Sequence, residues 1–129
     1  MAEKKKILCV DDEMDVLLIL KTALSEDYEV VTAGNGIDAL ALVDDHKPDL
    51  VILDMMMPEM DGLQTLKELR QTNAGAHIPV LFLTGVSDKD IKREALGLGT
   101  SYYLTKPFDY NDLISKVEIA IKEASSMFP

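Results

Sequence analysis

The sequence lacks several features that define whole classes of protein. It has a single cysteine, Cys9, so no disulfide can form within the chain, and a reducing compartment such as the cytoplasm fits this usage. No apolar run approaches the ~20 residues of a membrane-spanning helix. The basic N-terminal segment precedes only four apolar residues, which is too few for a signal peptide. We therefore expect a cytoplasmic protein with no membrane contact.

Basic residues are also in the minority. The 13 lysines and arginines face 23 aspartates and glutamates, which gives a net charge of −10. This charge would repel the phosphates of nucleic acids and anionic lipids, so we expect no direct nucleic acid binding. A chain of 129 residues with 47% apolar residues suits one globular domain. We expect that domain to span 1–129, with its core at about 5–124 and a tail or the start of a linker at 125–129.

Short apolar runs alternate along the chain with segments in which apolar residues recur every three or four positions. Three of the runs are apolar throughout, which is typical of strands buried on both faces. Helix N-caps are predicted at Asn35, Ser87 and Asp109. This alternation predicts a single α/β domain with a doubly wound parallel sheet and helices on both faces. The predicted strands are 7–10, 28–32, 50–53, 78–83 and 101–104.

Polar side chains follow four of the predicted strands. Asp11 and Asp12 follow the first, Asp54 the third, Thr84 the fourth and Lys106 the fifth. The carboxyl ends of parallel strands share one edge of the sheet. Carboxylates ~5 Å apart repel by roughly 3 kcal/mol per pair at an effective dielectric of ~20, so the edge calls for a cation, and oxygen ligands suit Mg²⁺. An aspartate nucleophile beside an ammonium and a hydroxyl has the groups needed for phosphoryl transfer.

Each of these residues also has an ordinary structural explanation. The aspartates could cap helices, Thr84 could belong to a turn, and Lys106 could be solvated. Any one of these explanations is the simpler choice for one residue alone. Their joint occurrence at strand ends favours a functional site.

Four motifs stand at these positions in order. They are Asp-Asp-Glu at 11–13, Leu-Asp-Met-Met-Met-Pro at 53–58 with Met-Asp-Gly at 60–62, Thr-Gly at 84–85, and Leu-Thr-Lys-Pro-Phe at 104–108. Over about 5–124 the sequence resembles the response-regulator receiver domains of two-component signalling. The resemblance implies a flavodoxin-like (βα)5 fold with five parallel strands in the order 2-1-3-4-5.

The resemblance also implies the chemistry of the acidic residues. Asp54 would be the phosphoryl acceptor. Asp12 and Asp54 would be direct Mg²⁺ ligands together with the backbone carbonyl of Met56, and Asp11 would hold the ion through water. The domain would be a stoichiometric, Mg²⁺-dependent, self-phosphorylating acceptor with slow autodephosphorylation, and not an enzyme. Met56 and Val86 would overhang the path of the hydrolytic water and thereby tune the lifetime of the phosphorylated form.

The same resemblance assigns the remaining site residues. Lys106 would pair with Asp54 and then with the phosphoryl group, and the Lys106–Pro107 peptide bond would be cis. Thr84 would bond a phosphoryl oxygen, and Tyr103 would be the rotamer switch that changes the surface of the fourth helix, fifth strand and fifth helix. The phosphoryl donor would be a sensor histidine kinase or a histidine phosphotransfer protein.

The output and oligomeric state stay open. An output domain or a downstream protein could receive the signal, and the domain could be a monomer or a phosphorylation-dependent dimer. Thr100, Ser101 and Tyr102 stand where the family often has alanine and then acids, which leaves the dimer mode open.

Three other functions fit the sequence less well. A phosphatase similar to haloacid dehalogenases needs an acid two residues after the nucleophile, where this chain has Met56. A flavin or nucleotide binder needs a phosphate-binding loop after the first strand, where 11–13 are acidic. A receiver that no longer accepts phosphate is disfavoured because all the site residues are present.

Overall fold

Five strands and five helices alternate along the chain. The structure, a computed structural model, describes residues 3–85, 89–100 and 102–127. Ser87 and Val86 therefore lie outside the described residues, as does Ser101 at the predicted start of the fifth strand. The elements are β1 (Lys6–Val10), α1 (Met14–Leu24), β2 (Glu29–Ala33), α2 (Gly36–His46), β3 (Leu50–Asp54), α3 (Gly62–Arg70), β4 (Val80–Thr84), α4 (Lys89–Gly97), β5 (Tyr102–Thr105) and α5 (Tyr110–Met127).

The strands form one parallel sheet in the order β2-β1-β3-β4-β5. This confirms the expected fold and strand order. The centre of the sheet is β3, and every residue of β3 and β4 is buried. Helices cover both faces of the sheet, so neither side of these strands faces water. The apolar runs are uninterrupted for this reason.

Side chains of the central strands alternate between two hydrophobic clusters. Val51 and Leu53 point into a cluster shared with α2, α3 and α4, whereas Leu50 and Ile52 point into one shared with α1 and α5. Successive side chains of a strand face opposite sides, so each cluster takes every second residue. Cys9 is buried in the second cluster, and burial raises the pKa of its thiol to about 12. It is an inert core residue, as predicted.

The ends of the elements follow local chemistry. Asn35 caps α2 by accepting a hydrogen bond from the Asp38 N–H at 2.8 Å, as predicted. α5 begins directly after Asp109. β4 begins at Val80, two residues later than predicted, because Pro79 has no N–H to donate to the ladder. None of the described helices is long and apolar enough to cross a membrane.

Candidate functional site

An acidic pocket lies at the carboxyl edge of the sheet, where β1 and β3 end side by side. Val10 pairs with Leu53, so Asp11, Asp12 and Asp54 leave adjacent strands at the same level. One carboxylate oxygen from each lies within 4.8 Å of the others. Asp11 and Asp54 are buried and Asp12 is exposed. These three oxygen ligands could hold one metal ion.

Lys106 directly follows β5, the edge strand of the sheet, and its side chain reaches the pocket from there. Its backbone N–H donates to the Thr84 carbonyl at 2.8 Å, which ties the end of β5 to the end of β4. Its Nζ lies 2.7 Å from Asp11 Oδ2, 3.4 Å from Asp54 Oδ1 and 3.8 Å from Glu13 Oε1. The expected contact with Asp54 is present, but the shorter bond goes to Asp11. The Lys106–Pro107 peptide bond is cis.

The pocket carries more negative charge than Lys106 neutralises. Burial and then the charge of Asp11 raise the pKa of Asp54 to about 6, against the opposing effects of Lys106 and the Met56 N–H. Burial acts to lower the pKa of Lys106, but its hydrogen bond to Asp11 and the charge of Asp54 raise it overall. Lys106 is therefore charged at neutral pH, and Asp54 changes its charge near pH 6. A second cation would relieve the remaining repulsion.

Thr84 and Tyr103 lie on the two strands beyond Asp54. Asp54 pairs with Leu83, so Thr84 ends β4 next to the pocket, and it is buried. Tyr103 lies one strand further out and is half-buried, with its ring stacked on Phe82 at a centroid distance of 6.3 Å. The Tyr103 hydroxyl donates to the carbonyl of Thr100 at 3.5 Å. Tyr103 therefore packs on the same face of the sheet as Phe82.

The loop after β3 forms the rim of the pocket. The Met56 N–H donates to Asp54 Oδ1 at 3.3 Å, and the Met56 side chain is 72% exposed. Both histidines of the sequence lie elsewhere. His46 ends α2 just before β3 begins, and His77 precedes β4, so both lie towards the opposite edge of the sheet. No phosphoryl-donating histidine of this chain is therefore near Asp54.

Two further residues of the pocket, Glu13 and Gly62, belong to the motifs at 11–13 and 60–62 but have no role in the expected chemistry. Glu13 adds a third carboxylate around the Lys106 ammonium and is 65% exposed in its side chain. Gly62 begins α3 against the backbone of β3, where an added Cβ would lie 2.3 Å from the Asp54 carbonyl oxygen. The signal for Glu13 was its place beside two other acids. Gly62 could have been recognised because it is the first residue of a helix whose N-cap is Asp61, so capping does not explain a glycine there.

Comparisons with known proteins agree with this geometry. Residues 7–118 match the family model of the response regulator receiver domain. The chain is 36% identical over 126 residues to the alkaline phosphatase synthesis transcriptional regulatory protein PhoP of Bacillus subtilis (strain 168). That alignment covers 97% of this chain and 52% of the relative. The chain spans about half the length of this and other curated relatives.

Solved structures of similar fold match this chain over nearly the full length of both chains. The Vibrio cholerae chemotaxis protein CheY4 superposes with a TM-score of 0.88 and 30% identity, over 92% of this chain and 99% of that one. A CheY-like response regulator receiver domain protein from Methanospirillum hungatei JF-1 has a TM-score of 0.90 and 26% identity, over 97% and 99% of the two chains.

Proposed function

The chain belongs to the response regulator receiver domain family, and from that premise we propose that it is a phosphorylation-dependent signalling receiver with Asp54 as its phosphoryl acceptor. The observation that carries the proposal is the cluster of Asp11, Asp12 and Asp54 around one point, with the Lys106 ammonium in contact with two of them. Asp54 is the carboxylate at the end of β3, the central strand of the sheet.

The proposed reaction moves a phosphoryl group from a partner histidine. An Asp54 oxygen forms a bond to phosphorus while the P–N bond breaks, and the imidazole leaves with the bonding electron pair. With a pKa of about 6, Asp54 is mostly ionised at neutral pH and can act as the nucleophile. Lys106, 3.4 Å from Asp54, supplies positive charge where the phosphoryl oxygens would lie. The protein acts stoichiometrically and is then dephosphorylated slowly.

The residues at the pocket fit a Mg²⁺ ion. Three hard oxygen ligands converge there, and their charge exceeds that of Lys106. Asp12, Asp54 and the Met56 carbonyl would hold the ion directly, and Asp11 would hold it through water. When bound, the ion neutralises the carboxylates and the charge on the transferring group.

The proposed switch connects Thr84 with Tyr103. A phosphoryl group on Asp54 would attract the Thr84 hydroxyl and draw the end of β4 towards the site. Tyr103 would then turn inward from its half-buried position and change the surface formed by α4, β5 and α5. One new hydrogen bond biases two arrangements that already exist, which is a shift in population.

The partners follow from the same chemistry. We propose that a sensor histidine kinase or a histidine phosphotransfer protein supplies the phosphoryl group in the cytoplasm. PhoP, which resembles this chain over half its length, is a transcriptional regulatory protein. An output domain or downstream protein would therefore contact any nucleic acid, since this domain has a net charge of −10. It would act as a monomer or as a dimer formed on phosphorylation.

Mass measurement after incubation with acetyl phosphate tests the proposal. The wild-type protein should gain one phosphoryl group in the presence of Mg²⁺ and none in EDTA, and Asp54→Asn should gain none. Asp45→Asn, which changes an exposed aspartate of α2, is the matched control and should gain as much as wild type. Equal gain in Asp54→Asn would reject the acceptor. Equal gain in EDTA would reject the metal requirement.

A further inference from the structure

The C-terminal end of α4 is closed by a compact set of backbone hydrogen bonds. The Thr100 N–H donates to the Ala95 carbonyl at 2.9 Å, and the Gly99 N–H donates to the Leu96 carbonyl at 3.0 Å. Gly99 has a φ of +85°, a left-handed conformation that favours glycine. Together these form a Schellman motif, which leaves the carbonyl of Leu98 without a partner within the helix.

Arg70, the last residue of α3, donates a hydrogen bond to that carbonyl. Its Nε donates to the Leu98 carbonyl at 2.6 Å, and its Nη1 donates to the carbonyls of Gly75 and Ile78 at 2.9 and 2.7 Å. The half-buried guanidinium thus joins the end of α3, the segment before β4 and the end of α4. Its partners are carbonyl oxygens, so Arg70 acts as a clamp between three chain segments. A planar group with several fixed donors suits this role, whereas a lysine ammonium does not.

A second contact between α3 and α4 is weaker. Lys67 Nζ lies 3.4 Å from Glu94 Oε2, one turn before Arg70 on α3, and both side chains are about half exposed. Exposed ion pairs of this kind contribute little to stability. The Arg70 bonds, which are partly shielded from water and charge-assisted, are the stronger link.

We propose that Arg70 holds the C-terminal end of α4 as a pivot, so that the switch reorients α4 about 98–100 and does not slide it along α3. The inference rests on the proposed function. The N-terminal end of α4 lies a few residues after Thr84, which ends β4. A structural change caused by phosphorylation of Asp54 would therefore reach α4 at this end first. The pivot also contains the Thr100 carbonyl that accepts the Tyr103 hydroxyl, so Arg70 positions the acceptor of the proposed switch residue.

Amide hydrogen exchange measured residue by residue tests the anchor in the unphosphorylated protein. Arg70→Met should speed exchange at Leu98, Gly99 and Thr100 about tenfold, the factor for loss of one charge-assisted hydrogen bond. Arg70→Lys should show a smaller increase. Lys67→Met, the matched control on the same helix, should exchange at those amides no more than a few times faster than wild type. Unchanged protection of the β3 amides shows that a variant is folded, and Arg70→Lys decides the result if Arg70→Met does not fold.

The phosphorylated wild type tests the pivot itself. Exchange should change in the first turns of α4 while Leu98, Gly99 and Thr100 keep their protection. Equal changes at both ends of α4 would overturn the pivot, and so would an Arg70→Met protein that exchanges no faster than Lys67→Met. Absence of a phosphoryl mass gain would instead overturn the proposed function, because the anchor is judged without phosphorylation.

Discussion

Replacing Asp54 with asparagine should stabilise the folded protein at neutral pH in the absence of metal. Burial and the neighbouring Asp11 raise the pKa of Asp54 from 3.8 to about 6 in the folded state. The folded protein therefore binds a proton more tightly than the unfolded chain, and ionisation of Asp54 costs stability as the pH rises above 3.8. That cost approaches its full value only well above pH 6, where Asp54 is ionised in both states.

The pKa difference sets the size of the effect. At 1.36 kcal/mol per pH unit, a shift from 3.8 to about 6 corresponds to about 3 kcal/mol at pH 7.5 and to roughly half of that at pH 5. Asp54→Asn removes the charge and keeps the size of the side chain, so its gain in the free energy of unfolding should approach these values. Mg²⁺ at ten times its Kd should raise the free energy of unfolding of the wild type by about 1.4 kcal/mol and that of the variant by less.

Urea unfolding followed by circular dichroism measures these differences. Wild type, Asp54→Asn and the control Asp45→Asn are compared at pH 7.5 and pH 5 in EDTA, and again at pH 7.5 with Mg²⁺. The control changes an exposed aspartate, so its stability should stay within about 0.5 kcal/mol of wild type at both pH values. An Asp54→Asn protein that is no more stable than wild type at pH 7.5, or whose advantage does not shrink at pH 5, would refute the raised pKa of Asp54.

Three further changes have definite expected outcomes. Gly62→Ala places a Cβ 2.3 Å from the carbonyl oxygen that ends β3, so unfolding measurements should show a loss of about 2–3 kcal/mol, whereas Gly34→Ala meets no atom within 4 Å and should change little. The Thr100 hydroxyl is fully buried and has no hydrogen-bond partner among the described residues, so Thr100→Val should raise the free energy of unfolding by about 1 kcal/mol, and a loss would contradict this. Met56 and Val86 cannot hold a hydrolytic water well, so Met56→Asn with Val86→Glu should speed the loss of phosphoryl label at fixed Mg²⁺; unchanged or slower decay would exclude this control of lifetime.

Local sequence patterns were enough to predict the elements and the acidic edge. The apolar runs before Asp11 and Asp54 predicted buried strands, because only a two-sided core accepts runs without polar alternation. Parallel strands share their carboxyl edge, so residues distant in sequence were expected to meet there. Asn35 capped its helix as expected because capping depends on neighbouring residues alone. The strand order came from the resemblance to a family, since periodicity does not specify which strands are neighbours.

Only the tertiary structure decided how the side chains of the site share their charges. Lys106 could have paired with any acid at the edge, and packing brought it to 2.7 Å from Asp11 and 3.4 Å from Asp54. The raised pKa of Asp54 depends on burial between strands, which no local pattern measures. The same holds for Arg70, whose carbonyl partners reach 28 residues along the chain. Such contacts are set by distances across the packed fold, and charge–charge energies depend on those distances and on shielding from water.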